Sequence, residues 1–383
     1  MKQVTVILLI FFCLLFVWNA ETKGEQIKVK SVKPVAIGIS KAFSPWSPDS
    51  QWICYSNTDY YKNVLKLENP PETPGVYVVR YDGTGKRLLD ADGRRPSFGR
   101  FQNKIIYSKD GTSGKKGIKG GLEEDIWMID FDGTNKIQLT EGPEDTRMKI
   151  WGSTCLTYDG KQVLYYFLDA SGIGIVNTDG TNSRVLIKNS AIAGFSPDGK
   201  KVFITAGDVE KEGFLSGGFM SLEDGSKEWL IRHKYPENDY WHLVLNLQGT
   251  MVAYDNPRWE NRNIWVAKLD GSGEAYPVTN YKGKMGEVGV GFANHPRFSP
   301  DGEWIVYDEQ TNITKDNNSG YKNKIMVVKI DGTCKTELAE ALVPKHSGYC
   351  EPAWSPDGKK IMYYAPDPDN DNQPSVFVIE LEI

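Results

Sequence analysis

The sequence predicts an all-β fold, a seven-bladed β-propeller with four antiparallel strands per blade, and three observations predict it. A turn of the Ser-Pro-Asp-Gly kind, introduced by an aromatic residue and followed by an alternating apolar strand, recurs along the chain. A second turn, Asp-Gly at the end of another alternating strand, interleaves with the first. A strand without a partner at the beginning of the chain answers a strand missing at its end.

The first turn reads Phe298-Ser299-Pro300-Asp301-Gly302 before Trp304-Ile305-Val306-Tyr307, and it returns as Trp354-Ser355-Pro356-Asp357-Gly358, Phe195-Ser196-Pro197-Asp198-Gly199 and Trp46-Ser47-Pro48-Asp49-Ser50. Pro presets φ at the first turn position and Gly accepts the conformation that other residues resist, so each copy encodes a tight hairpin. Three decayed copies complete the series: Ser97-Phe98-Gly99-Arg100, Thr157-Tyr158-Asp159-Gly160 and Asn246-Leu247-Gln248-Gly249. Their spacing of roughly 40 to 60 residues is that of propeller blades. Seven is the count they give, and the decayed members leave six or eight open.

The second turn closes Val76 to Gly83, Ile126 to Gly133, Ile173 to Gly180, Phe219 to Gly225, Ile264 to Gly271 and Ile325 to Gly332. Asp-Gly between alternating strands is a strong hairpin signal, and two hairpins per repeat make four strands per blade. The seventh blade runs out of chain after Val376 to Ile383, while Gln26 to Val32 has strand character and no hairpin partner. Pairing the two closes the ring and removes exposed sheet edges.

Composition fits this reading. Among 383 residues, 40% are apolar and 25% charged, with 11 Trp, 19 Tyr and 38 Gly, as an aromatic-packed, turn-rich β protein requires. A net charge of −5 without a basic stripe argues against a nucleic-acid binder. Lys2 precedes an uncharged run from Val4 to Trp18, shorter than the about 20 residues of a membrane span. Residues 1–24 are therefore expected to be a signal peptide and 25–383 a single propeller domain, periplasmic or extracellular, with no membrane span after signal removal. An uncleaved anchor is the alternative. Cys54, Cys155, Cys334 and Cys350 show no Cys-x-x-Cys spacing. A Cys334–Cys350 bridge stays open, and Cys54 and Cys155 fit buried thiols.

These blades resemble the TolB-like propellers, whose repeats carry the same aromatic, Ser-Pro-Asp-Gly, strand, Asp-Gly and Leu-Thr steps. Leu139-Thr140 and Val278-Thr279 match the last step, whereas Leu186-Ile187 departs from it. The resemblance covers nearly all of residues 26 to 383 and implies a periplasmic interaction platform, a propeller cap on a peptidase or an exported sugar-polymer enzyme. A peptidase reading lacks both a further domain and a Gly-x-Ser-x-Gly elbow in this sequence.

Strand order puts the long connections on the face opposite the turns. The innermost strands begin there, so their leading residues are the candidate ligand-binding set: Arg95, Trp151, Trp241, His242, His295, Arg297, Tyr349 and Glu351. Arg94, Arg147, Lys149 and Asn294 stand beside them. Guanidinium forks suit carboxylates and indole or phenol faces suit sugar rings, so an acidic oligosaccharide or an envelope protein is the expected partner of a monomeric binding module. No catalytic residue, metal or cofactor is assigned. His295→Ala and Arg297→Ala are expected to weaken binding while leaving thermal stability nearly unchanged. The alternative class is a carbohydrate-active enzyme of the oligogalacturonate lyase type, using His295, His242 and Arg297. Those propellers resemble this chain, but the close His pair they carry before a late Ser-Pro-Asp-Gly turn is missing from His346 to Trp354.

Overall fold

The structure, a computed structural model, describes residues 27–38, 44–58, 68–70, 72–110, 124–141, 155–167, 172–188, 190–206, 214–234, 241–255, 261–284, 287–312, 321–343, 350–370 and 373–382. Seven antiparallel sheets follow one another in chain order. Blade 1 holds Trp52–Ser56, Gly75–Arg80 and Arg87–Ala91, with Trp46 bridged to Ile53 in place of a full inner strand. Blade 2 holds Arg94–Phe98, Lys104–Asp110, Glu124–Asp130 and Ile137–Gln138, and blade 3 Cys155–Leu156, Gln162–Phe167, Gly172–Asn177 and Arg184–Ile187. Blade 4 is Ser190–Phe195, Lys201–Ala206, Phe214–Ser221 and Lys227–Lys234, and blade 5 Trp241–Leu245, Met251–Asp255, Ile264–Lys268 and Ala275–Pro277. Blade 6 is Gly291–Phe298, Trp304–Asn312, Tyr321–Lys329 and Thr336–Val343.

Blade 7 takes Ala353–Trp354, Lys360–Asp367 and Gln373–Glu382 from the end of the chain and its outermost strand, Lys28–Ile37, from the beginning. The closing pair runs from Lys28 opposite Glu382 to Ile37 opposite Ser375. The junction of blades 7 and 1 is also tied by Trp46 Nε1, which donates to the Ala353 carbonyl at 3.1 Å, and by the Asp357 amide, which donates to Ser50 Oγ at 2.9 Å. Seven blades and closure by the N-terminal strand are thus both present, as the repeat count required.

The core is divided as the ring is. Seven apolar clusters fill the seven interfaces between neighbouring blades, for example Val306, Ile325 and Val327 of blade 6 against Ile361, Tyr363 and Ile379 of blade 7. Because each blade packs against both neighbours, its second strand is buried on both faces: the adjacent residues Ile53 and Cys54, Ile105 and Ile106, and Ile305 and Val306 are all inaccessible. Cys54, Cys155 and Cys350 are buried free thiols and Cys334 is a half-buried one, so no Cys334–Cys350 bridge forms. Burial pushes the Cys155 thiol up to about 12, as expected of an inert core residue.

The turns show why their lettering recurs. In Ser355-Pro356-Asp357-Gly358, Ser355 Oγ donates to Asp357 Oδ1 at 2.5 Å and accepts the Lys360 amide at 3.0 Å, while Asp357 Oδ1 also accepts the Lys359 amide at 3.0 Å. Gly358 sits at φ +71°. The decayed turns keep the geometry with other atoms: Thr157 Oγ1 replaces Ser Oγ, and Asn246 Oδ1 accepts the Thr250 and Met251 amides at 2.8 and 3.0 Å. Six of the seven turns thus open on a side-chain oxygen, and blade 2, with Gly99 there, keeps only the backbone bond from the Gly99 amide to the Lys104 carbonyl at 2.8 Å. Among the described residues no helix is long and apolar enough to cross a membrane.

Candidate functional site at the channel mouth

A single backbone device positions the site. Four residues before the start of the Ser-Pro-Asp-Gly-type turn, the inner strand carries a residue in the left-handed region: Arg95 in blade 2 (φ 49°), His242 in blade 5 (47°), His295 in blade 6 (49°) and Glu351 in blade 7 (40°). Strand register slips at the first three of these places, between Arg94 and Ser97, Trp241 and Val244, and Asn294 and Arg297. A bulge re-aims the side chain it carries, and a non-glycine residue held at positive φ costs on the order of 1 kcal/mol or more. Blade 4 places its slip at Gly194 instead.

Each re-aimed side chain in blades 5 to 7 meets the fifth residue of the neighbouring second strand. His242 Nδ1 bonds Asp255 Oδ1 at 2.8 Å, His295 Nδ1 bonds Asp308 Oδ1 at 2.7 Å, and Tyr364 Oη donates to Glu351 Oε1 at 2.9 Å. Blades 1 to 4 put Ser56, Ser108, Tyr166 and Thr205 at that strand position. The two imidazoles lie against each other, with ring centroids 3.9 Å apart.

The two His–Asp pairs are unequal. His242 is 31% exposed, and its partner Asp255, fully buried, is also held by Arg262 through Nε at 3.0 Å and through a second guanidinium nitrogen. Burial alone would raise the Asp255 carboxyl, but His242 and Arg262 overcome it and hold the group well below the usual carboxylate range. His295 is only 5% exposed, and its partner Asp308 is fully buried. Burial, reinforced by the neighbouring Asp255 charge, pushes Asp308 up to about 8. Burial and the adjacent His242 keep His295 well below the ordinary imidazole value. Burial thus favours the neutral forms in the deeper pair, whereas the outer pair holds an ionised carboxylate.

Around Asp308 several buried polar atoms lack a well-formed hydrogen bond among the described residues: Asp308 Oδ2, both side-chain amide atoms of Asn294, which is turned toward the Asp308 carboxyl, and Asn323 Oδ1. Asn323 Nδ2 contacts Cys350 Sγ at 3.5 Å. Buried polar groups are normally satisfied, so such a concentration marks a place not arranged for stability alone. Among the described residues, no three His, Cys, Asp or Glu side chains are set to hold a metal ion.

Of the eight residues singled out from sequence, the structure brings four together: His242, His295, Arg297 and Glu351. The Arg297 charge is coupled to Glu351, Asp255 and Asp308. Arg95 instead binds Glu124 at 2.6 Å within blade 2. Trp241 opens the inner strand of blade 5, paired with Asp255 through the backbone. Trp151 and Tyr349, like Arg147, Lys149 and His346, lie outside the described residues. Sequence reasoning missed Asp255, Asp308, Arg262 and Tyr364. The available signal was the strand ending: Tyr254-Asp255 and Tyr307-Asp308 put a carboxyl at a position that is Ser, Ser, Tyr and Thr in blades 1 to 4. The expectation that His295→Ala leaves stability unchanged also needs correction, because His295 is buried and bonded to a buried carboxyl that would be stranded without it.

No family model and no curated protein matches the chain. Solved structures do match. A protein assigned as TolB from Agrobacterium tumefaciens is 16% identical, over 80% of this chain and 97% of that one, with a TM-score of 0.50. An oligogalacturonate lyase from Vibrio parahaemolyticus is 12% identical, over 93% and 96%, with a TM-score of 0.60. The Cps50 (Swd1) β-propeller domain of Myceliophteria thermophila is 10% identical, over 92% and 99%, at 0.54. At such identities the likeness is one of fold: TolB and oligogalacturonate lyase propellers are among the structural neighbours of this ring.

Proposed function

We propose that the chain is an exported, monomeric propeller that binds an acidic oligosaccharide at the mouth of its channel, in the periplasm or outside the cell. One observation carries this reading: three consecutive blades each accept a left-handed inner-strand residue, and the result is a single cluster of His242, His295, Arg297 and Glu351. Strain repeated at equivalent positions is retained where the aimed side chain has a task. His242, the accessible imidazole, meets the ligand; His295 and Asp308 support it from below; Arg297 supplies positive charge for a carboxylate. The signal peptide at 1–24 and the single domain at 25–383 belong to the same proposal, since the sugar polymers and envelope proteins it would meet lie outside the cytoplasm.

A panel of uronate-containing and neutral oligosaccharides, titrated calorimetrically, tests the reading. Uronate binding should drop by about tenfold or more in His242→Ala, as expected for losing a hydrogen bond to a charged group. Lys200→Ala with Lys359→Ala, on the turn face, should change nothing. Equal binding of neutral and acidic oligomers, or binding lost only in the turn-face pair, would refute it.

A second reading, a lyase acting on the same polymers, is favoured by the His242–Asp255 pair, because an ionised carboxylate behind an accessible imidazole suits a general base. Depolymerisation of the bound sugar, abolished by His242→Ala, would select it over simple binding. An envelope protein captured at the same mouth is the remaining outcome, read by competition with the sugar.

A further inference from the structure

The channel continues past the mouth cluster, and there it changes character. The inner strands run from the left-handed residues toward the Ser-Pro-Asp-Gly turns, and residues of all seven, from Ser44 to Pro356, enclose a cavity of about 160 Å³ on the ring axis. Most of its wall is core. Among the half-buried lining side chains are the rings of Tyr158, Phe298 and Trp354 and the guanidinium chains of Arg100 and Arg297.

Neither arginine has an ion-pair partner within 4.0 Å among the described residues. Arg297 donates to the Pro296 carbonyl at 3.2 Å, and Arg100 lies over the Phe101 ring at 5.6 Å. Both guanidinium groups are shifted down by burial, which marks them as partly stripped of water. Arg297 faces the Glu351, Asp255 and Asp308 carboxyls of the mouth, whereas Arg100 has no carboxylate within ion-pair distance among the described residues; a cation partly removed from water without a counter-charge is costly, and such a site gains from any anion that supplies one. Apolar rings beside the Arg100 guanidinium complement a ligand with a flat body and a carboxylate.

Size narrows the class. A dry cavity of about 150 Å³ accommodates benzene, whereas sites for larger ligands begin at about 300 Å³. We propose that this cavity is a second binding site, separate from the mouth, for a single-ring aromatic carboxylate whose anionic group lies against Arg100. An oligosaccharide does not fit it. Arg297 is the one residue common to both sites, and Arg100 belongs to this site alone.

Benzoate and its neutral analogue benzamide, titrated calorimetrically into the full-length protein, are the probes. Benzoate should bind on the order of tenfold tighter than benzamide or better. Arg100→Met should remove that preference, Arg100→Lys should restore part of it, and His242→Ala should leave it intact. Arg100→Met should also leave uronate binding at the mouth unchanged, so this proposal and the mouth reading can fail independently. Melting temperatures of the variants establish that each is folded. Equal affinity for the two probes, or no benzoate binding up to about 10 mM, the weakest affinity expected for a ligand of this size, overturns the proposal. So does a charge preference that survives in the Arg100→Met, Arg297→Met double variant.

Discussion

The two ends of this propeller handle polar groups in opposite ways. On the turn face, the Ser, Thr or Asn that opens six of the seven first turns satisfies nearby backbone amides, and the residue at positive φ is glycine wherever the turn retains one. At the mouth of blades 5 to 7, positive φ falls on His242, His295 and Glu351, and buried atoms of Asn294, Asp308 and Asn323 lack well-formed hydrogen bonds among the described residues. Local rules obeyed at one end make the ring; rules broken at the other mark where it is used.

The largest effect should come from opening the ring itself, which both ends require. Deleting residues 27–37 removes the strand paired with Gln373–Glu382 and exposes a long sheet edge next to Val376, Val378 and Leu381. Loss of a cooperative melting transition, or aggregation on size-exclusion chromatography, is the expected result. A truncated chain as stable as the parent would contradict closure.

Turn-face substitutions come next. Gly302→Val should cost about 2–4 kcal/mol in denaturant unfolding, because φ is +79° and a Cβ there would displace the Gln248 amide that donates to the Pro300 and Asp301 carbonyls. Gly358→Val should cost less, since φ is similar at +71° but the nearest atom, Pro300 Cδ, is 3.8 Å away. Equal costs would mean that neighbouring turns do not press on one another.

At the mouth, His295→Ala should lose about 2–4 kcal/mol by stranding Asp308, whereas Lys200→Ala with Lys359→Ala should stay within about 0.5 kcal/mol. The smaller effect there is the pH dependence. Asp308, raised to about 8, keeps a proton that the unfolded chain releases near pH 4, so on its account stability falls as pH rises between those values. His295, lowered, stays neutral where the unfolded chain binds a proton below about 6.5, so on its account stability rises with pH up to that point. The slopes oppose below about pH 6.5; above it Asp308 acts alone. Stability should therefore decline by about 1–2 kcal/mol from pH 6.5 to 8, and Asp308→Asn should flatten the decline. An unaltered slope in that variant would assign the titration elsewhere.

The contrast between the ends also explains what could be read from sequence. Ser-Pro-Asp-Gly is a local code, since each letter acts within a few residues, so seven hairpins and the closing strand were legible even where Thr157 or Asn246 replaced Ser. The mouth is assembled from residues far apart in sequence. His242, His295, Arg297 and Glu351 could be proposed because they lead inner strands, but Asp255, Asp308 and Tyr364 looked like ordinary strand ends, and only the ring shows what they face. Arg95, chosen by the same logic, spends its charge on Glu124. That partner lies two strands away in the same blade, beyond the reach of a pattern based on inner strands alone.

Four histidines in the whole chain make one measurement decisive. Histidine ring resonances recorded with and without a uronate oligosaccharide report directly on whether the strained mouth is the ligand site. His233 lies on the outer strand of blade 4 and serves as an internal control. The account predicts that the His242 and His295 signals shift together on ligand addition, because their rings are in contact, while His233 stays fixed. A ligand that moves His233 and leaves His242 and His295 in place would contradict it.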